Sequence, residues 1–437
     1  MTYLVRPASA LAGAVEPPGD KSISHRALIL NSIAGGLAEA YNCPPSADIL
    51  ATVDCLKALG VNLRLDPDPE EGTAKKGLRV KVTGRGIECL SEPDRVLDAG
   101  NSGTTMRLLT GLLSAAPFFS VISGDSSLNS RPMERLVKPL RLMGAEIWGR
   151  EGGNRAPLSI QGGRLSGIEY SLPVASAQIK SALIIAGLCA QGDSIIHQPA
   201  SSRDHTERMV QAMGASLTLE DTTITVRPGP LSAVDAQIPG DISSAAYWLV
   251  AGAIHPDSRV KVVNTGVNPT RTGVIEVLRG MGARVMVGEP SIVGGEPVAD
   301  ISVESSQLES VEVKGDLIPR IIDELPLVAL AATQARGTTE IRDAGELRVK
   351  ESDRIQTTVQ ELKRLGADIE ELPDGMKIRG PTPLQGTRCN SRGDHRLAMT
   401  LGVAGLIAKG ETTIEGAEAV NISYPGFWNE LERLKTG

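Results

Sequence analysis

The sequence predicts an α/β fold, α+β in its layering, made of repeated units gathered into two globular domains. Three observations predict it. A short helix-opening motif recurs along the chain, and a helix-ending glycine followed by a strand recurs between its copies. The 437 residues also include 47 glycines, too many for a helical bundle and without any collagen-like period. With 41% apolar and 22% charged residues the chain can bury real cores. Its 437 residues suit two or three domains of about 150 residues.

The opening motif places Gly, Asp, Ser or Asn before small polar residues and then an apolar run. It stands at Gly19-Asp20-Lys21-Ser22, Gly100-Asn101-Ser102-Gly103-Thr104, Ala175-Ser176-Ala177-Gln178, Gly240-Asp241-Ile242-Ser243-Ser244, Ile322-Asp323-Glu324 and Gly393-Asp394-His395-Arg396. Asn, Asp and Ser accept from exposed N–H groups of a first helical turn, so each copy reads as a helix start. The closing motif is an amphipathic helix ending in Gly60, Gly144, Gly214, Gly282 or Gly366, each followed by a strand pattern such as Ala283-Arg284-Val285. These glycines recur at roughly 70–85 residues, and a truncated helix at Leu431-Glu432-Arg433-Leu434 ends the series. Six units are too large for a short solenoid repeat, so two domains of three units fit better, with a crossing near Pro239-Gly240.

Composition excludes several classes. Asp plus Glu number 52 against 45 Lys plus Arg, a net charge of −7, whereas nucleic-acid backbones call for a basic surface. Aromatics are 3%, too few for base-stacking platforms. No apolar run nears the roughly 20 residues of a membrane span, and Met1-Thr2-Tyr3-Leu4-Val5-Arg6 does not open a signal peptide, so a cytoplasmic protein without a membrane partner is expected. Cys43, Cys55, Cys89, Cys189 and Cys389 are scattered and odd in number, which predicts free thiols and no zinc site.

The helix starts carry the chemistry. Helix N-termini favour anions, and here many stand beside cations: Lys21, Arg26, Arg107, Lys180 and Arg396. Polar loops add Arg131, Arg203, Lys350 and Arg354. An acidic chain arranged this way predicts a site for small, multiply charged anions. Singly, each cation reads as a solvated surface charge. Asp323, beside apolar residues, reads as a raised-pKa base or as a plain N-cap. Glu351, between Lys350 and Arg354, reads as a second functional carboxylate or as part of a surface ion-pair cluster. His25, His205 and His395 read as orienting or structural. There is no Gly-x-x-x-x-Gly-Lys-Ser/Thr loop, and Gly84-Arg85-Gly86 lacks the third glycine of a dinucleotide fingerprint.

Four motifs, in order along nearly the whole chain, resemble the 5-enolpyruvylshikimate-3-phosphate (EPSP) synthase family of enolpyruvyl transferases. They are Gly19-Asp20-Lys21-Ser22-Ile23-Ser24-His25-Arg26, Asp98 to Arg107 through Gly100-Asn101-Ser102-Gly103-Thr104, Leu347 to Arg354, and Gly393-Asp394-His395-Arg396-Leu397-Ala398-Met399. Ser176-Ala177-Gln178 and Ser202-Arg203-Asp204-His205 are most similar to the family's second class, often less sensitive to glyphosate.

The resemblance implies two domains of three βαβαββ units, with helix N-termini facing an interdomain cleft. Residues 1–20 plus 241–437 would form the first domain and 21–240 the second. It implies transfer of the enolpyruvyl group of phosphoenolpyruvate to the 5-hydroxyl of shikimate 3-phosphate, with release of phosphate, in the shikimate pathway of aromatic amino acid biosynthesis. Lys21, Ser22, Arg26, Ser176, Ala177, Gln178, Arg203, Asp323 and Lys350 would hold shikimate 3-phosphate. Lys21, Gly103, Arg131, Gln178, Arg354 and Arg396 would hold phosphoenolpyruvate. Asp323 would be the base, Glu351 the acid that protonates carbon, and Lys21 a charge stabiliser. No metal or organic cofactor is implied, nor any partner beyond the two substrates, and a monomer is expected. Ile422 stands where some relatives have a phosphate-contacting Lys, and Leu108 where many inhibitor-sensitive relatives have Pro. The alternatives are the related transferase acting on UDP-N-acetylglucosamine and a non-catalytic module that binds phosphate ligands.

Overall fold

The computed structural model describes residues 1–68 and 77–436. The chain divides into two compact units: Gly19–Ile238 with Val293–Glu296, and a discontinuous unit of Met1–Pro18, Pro239–Ile292 and Pro297–Gly437.

In the Gly19–Ile238 unit, three helices are buried on nearly every side: α1 (Lys21–Ile33), α3 (Gly103–Ala115) and α6 (Ala177–Leu188). Between them in sequence lie α2 (Ala47–Ala58), the short α4 (Ser126–Asn129), α5 (Glu134–Leu142) and α7 (His205–Ala212). The central helices begin where the caps predict: Asp20 accepts from Ile23 N at 2.9 Å and Ser102 from Thr105 N at 3.1 Å. A helix apolar all round has to be enclosed. Four-stranded sheets supply the enclosure with one recurring topology. Leu97–Asp98 runs parallel to Phe119–Ser123, which pairs antiparallel with Arg155–Gln161, which in turn pairs with Glu146–Arg150. Glu169–Ser171, Ser194–His197, Thr223–Val226 and Leu217–Glu220 repeat the order, as do Ala236–Gln237, Gly35–Cys43, Leu78–Arg85 and Asn62–Pro67.

The discontinuous unit repeats the plan. Its buried helices are α8 (Ile242–Ile254), α11 (Leu325–Ala332) and α13 (His395–Ile407). The others are α9 (Gly273–Gly280), α10 (Ile318–Ile321), α12 (Arg354–Arg364) and α14 (Phe427–Leu434). Ala10–Val15 supplies the parallel strand beside Arg259–Gly266, and Thr2–Val5 pairs with Thr412–Glu415. Each unit has its own apolar core.

The closing glycines take positive φ, from +83° at Gly60 to +107° at Gly144, which a side chain would oppose. Two elements differ from the sequence reading. The last helix starts at Phe427, because Phe427 and Trp428 are buried; the Phe427 ring stacks 5.1 Å from Trp248 of α8. The fifth helix start lies at Glu324, one residue past Asp323, and Glu324 makes no side-chain cap bond. The five cysteines are free thiols, and burial raises Cys43, Cys55 and Cys389 to about 12 and Cys189 to about 11. Among the described residues no helix is long and apolar enough to cross a membrane.

Candidate active site

Within the Gly19–Ile238 unit, side chains tie the first turns of the central helices together. Gln178 at the start of α6 donates to Thr104 Oγ1 at 3.0 Å and accepts from Arg107 Nη1 at 2.9 Å. Arg131 donates to Asn101 Oδ1 at 2.8 Å. A Cβ on Gly103 would lie 2.6 Å from Arg107 Nη1 and 3.2 Å from Arg131 Nη1, so Gly103 leaves the space that two guanidinium groups border. Lys21, first residue of α1, meets Asp48 at 2.6 Å. Beneath it, His25 Nδ1 lies 2.7 Å from Thr52 Oγ1, which lies 2.6 Å from Thr105 Oγ1, linking α1, α2 and α3. Burial, then Lys21 and Arg26, push His25 well below the usual histidine range, so it is neutral.

Arg26 is buried and donates to Thr206 Oγ1 at 2.7 Å, Ser181 Oγ at 2.8 Å and the Ser22 carbonyl at 2.8 Å. Ser176 is the N-cap of α6 and Ala177 its first residue. Arg203 lies in the loop before α7.

In the discontinuous unit, cations and carboxylates interleave. Arg354 opens α12 with 1% exposure and meets three acids: Asp394 at 2.7 Å, Glu351 at 2.6 Å and Asp323 at 3.2 Å. Burial works against its charge, but these carboxylates outweigh it and raise its pKa. Burial likewise opposes ionisation of Asp394, and Arg354 overrides it, holding Asp394 below the usual range. Arg396, second residue of α13, meets Asp323 and Glu324, each at 3.7 Å, and Lys350 approaches Asp323 at 3.9 Å. Burial opposes the Arg396 charge too, and Asp323 leads the groups that raise its pKa.

Several expectations change here. Apolar residues flank Asp323 in sequence, but its carboxylate faces three cations, Lys350, Arg354 and Arg396. The Lys350–Glu351–Arg354 cluster is no solvated surface patch, because Arg354 is buried. Lys180 is a structural cation: it is buried, meets Glu207 at 2.7 Å and donates to the Ser202 carbonyl at 3.1 Å. His205, also buried, meets Glu296 at 2.7 Å. Two residues were not anticipated from sequence. Asp48, the partner of Lys21, carried no motif. Arg271 lies in Asn268-Pro269-Thr270-Arg271-Thr272, a polar loop before a helix like those of Arg131 and Arg203, and that signal was there to read. Among the described residues no group of His, Cys, Asp and Glu is arranged to hold a metal ion.

Lys21, Arg354 and Arg396 all stand in the first turn of a helix, at the positive end of its dipole. Cations concentrated where the backbone already attracts anions define a class of protein that binds small, multiply charged anions on a repeated α/β scaffold. The EPSP synthase (3-phosphoshikimate 1-carboxyvinyltransferase) family model matches residues 5–431, and the chain belongs to that family. A protein of Desulforudis audaxviator named 3-phosphoshikimate 1-carboxyvinyltransferase is 52% identical over all of both chains. One of the same name from Bacillus cereus is 52% identical over 98% of this chain and 97% of its own. The solved EPSP synthase of Acinetobacter baumannii superposes with a TM-score of 0.85 at 42% identity, covering 99% of this chain and 98% of that one. The enolpyruvyl transferase NikO of Streptomyces tendae, at 20% identity and a TM-score of 0.79 over 99% and 97% of the two chains, shares the fold.

Proposed function

We infer that this protein transfers the enolpyruvyl group of phosphoenolpyruvate to the 5-hydroxyl of shikimate 3-phosphate and releases inorganic phosphate. Family membership over nearly the whole chain supports the reaction. The observation that carries the site is the placing of Lys21, Arg354 and Arg396 at helix N-termini, where the backbone adds its own attraction for an anionic ligand.

In this reading Ser22, Arg26, Ser176, Ala177, Gln178, Arg203, Asp323 and Lys350 hold shikimate 3-phosphate. Lys21, Gly103, Arg131, Gln178, Arg354 and Arg396 hold phosphoenolpyruvate. Asp323 takes the proton of the 5-hydroxyl as its oxygen bonds to C2 of phosphoenolpyruvate. Glu351 gives a proton to C3, and the adduct carries a methyl group. The C2–O bond to phosphate then breaks, a methyl proton returns to the protein, and phosphate leaves. Lys21 and the arginines stabilise charge as it develops.

The Glu351–Arg354 pair supports the acid role. Arg354 is shared by Asp394, Glu351 and Asp323. An anionic substrate that engages Arg354 takes the counterion of Glu351 and adds a like charge beside it, and both favour the protonated carboxyl. Since each unit carries only part of this set, the reaction requires both sets to meet the same substrates, and adding shikimate 3-phosphate should shrink the radius of gyration in solution scattering. The reading needs no cofactor and describes a cytoplasmic monomer without nucleic-acid or membrane partners.

A phosphate-release assay tests it. Phosphoenolpyruvate with shikimate 3-phosphate should yield inorganic phosphate. No phosphate with that acceptor, or phosphate only with UDP-N-acetylglucosamine, overturns the assignment.

A further inference from the structure

Arg271 is a buried cation, 2% exposed, that the reaction above does not use. Its Nη2 donates to Ser243 Oγ at 2.7 Å and lies 3.2 Å from Asp241 Oδ1. Asp241 is the N-cap of α8 and accepts from Ser243 N at 2.8 Å, which fixes the first turn of that helix. A guanidinium can only donate, so the Ser243 hydroxyl accepts from Arg271 and has its own hydrogen for another partner. It gives that hydrogen to Glu324 Oε1 in a short bond. Glu324 is buried at the N-cap position of α11, makes no cap bond, and faces Arg396 Nη1 at 3.7 Å. A directed chain thus runs from Arg271 through Ser243 and Glu324 to Arg396, joining the first turns of α8, α11 and α13.

We propose that Arg271, Ser243 and Glu324 are positioning residues that orient the Arg396 guanidinium for phosphoenolpyruvate, and so set the affinity for that substrate rather than the rate of the chemical step. The inference deepens the reading that Arg396 binds phosphoenolpyruvate and rests on it. Glu324 is the one link that touches Arg396, and Ser243 decides where the Glu324 carboxylate points. Without the Ser243 hydroxyl, the Glu324 carboxylate loses its donor and Arg271 loses an acceptor, so Glu324 no longer holds a fixed direction toward Arg396 and Asp323 is left as the oriented one of the two carboxylates that flank it.

The test uses Ser243→Ala, Glu324→Gln and the double variant in the full-length enzyme, read by initial rates of phosphate release. Ser243→Ala removes one oxygen from a buried helix and leaves every charge in place. It should raise KM for phosphoenolpyruvate about tenfold, as expected for losing a hydrogen bond to a charged group. It should leave kcat and KM for shikimate 3-phosphate within twofold. Because Ser243 acts through Glu324, adding Ser243→Ala to Glu324→Gln should change nothing further. An unchanged KM for phosphoenolpyruvate in Ser243→Ala overturns the proposal, as does an equal loss from Ser243→Ala with and without Glu324. A fall in kcat and a rise in both KM values together would mark a general structural role and also overturns it. Absence of phosphate release by the unaltered enzyme would instead overturn the underlying reading of the site.

Discussion

Replacing Gly103 with Ala puts a methyl carbon 2.6 Å from Arg107 Nη1 and 3.2 Å from Arg131 Nη1. Ordinary contact begins at 3.4 Å, so the Arg107 guanidinium must retreat by about 0.8 Å while Arg131 yields by a few tenths. Arg107 donates to Gln178 Oε1 at 2.9 Å, and such a retreat stretches that bond beyond useful range. Losing a hydrogen bond from a charged donor costs about 1.5 kcal/mol, close to a tenfold change in an equilibrium. The backbone gives no opposing strain, because Gly103 is the first residue of α3 with an ordinary helical φ, and Ala is the better helix former. KM for phosphoenolpyruvate should therefore rise about tenfold, and more than KM for shikimate 3-phosphate, while the melting temperature holds or rises slightly. Phosphate-release rates over a grid of both substrates, with a thermal melt, decide it. An unchanged KM for phosphoenolpyruvate, or a melting temperature lower by several degrees, would refute the reasoning that side chains and not backbone absorb the methyl.

Glu351→Gln should lower kcat about 10²–10⁴-fold with little change in substrate binding, since it removes a proton donor and keeps the shape; equal turnover removes Glu351 from the chemistry. His25 is held neutral in the fold, so below pH 6.5 the unfolded chain binds a proton that the folded one refuses, and stability falls as pH drops, by up to about 1.4 kcal/mol per pH unit. In denaturant titrations His25→Asn should show a shallower loss than the unaltered protein between pH 6.5 and 5, and identical slopes contradict this. Asp394→Asn leaves the buried Arg354 short of its one fully buried carboxylate and should cost about 3 kcal/mol in urea unfolding; a loss under about 1 kcal/mol would mean the other two acids suffice.

The helix starts were legible because their signals are local. A cap and the N–H it satisfies lie within three residues, as in Asp20 with Ile23 and Ser102 with Thr105. The closing glycines were legible for the same reason. The start of α14 was not, because Phe427 and Trp428 are helical through packing on α8, and nothing within the segment says so. At the site, the cations could be found by type and place. Their partners could not: Lys21 and Asp48 are brought together by the packing of α1 on α2, and Ser243 and Glu324 by that of α8 on α11. The cations around Asp323 could not be read from sequence, because neighbours along a chain are not neighbours around a carboxylate. Which strands pair beside the chain crossings lay beyond sequence reasoning, since Ala10–Val15 and Ala236–Gln237 each join a sheet whose other strands are distant in the chain.

In the proposed mechanism, protein acids and cations drive addition followed by elimination on two bound anions. Running the reaction in D2O, with the product examined by proton NMR and mass spectrometry, tests it most directly. A proton delivered to C3 makes a methyl group in the adduct, and its loss on elimination leaves solvent deuterium in the methylene group of the enol ether. Product should carry deuterium at that carbon and form together with inorganic phosphate. Product whose methylene hydrogens all derive from the starting phosphoenolpyruvate would contradict it.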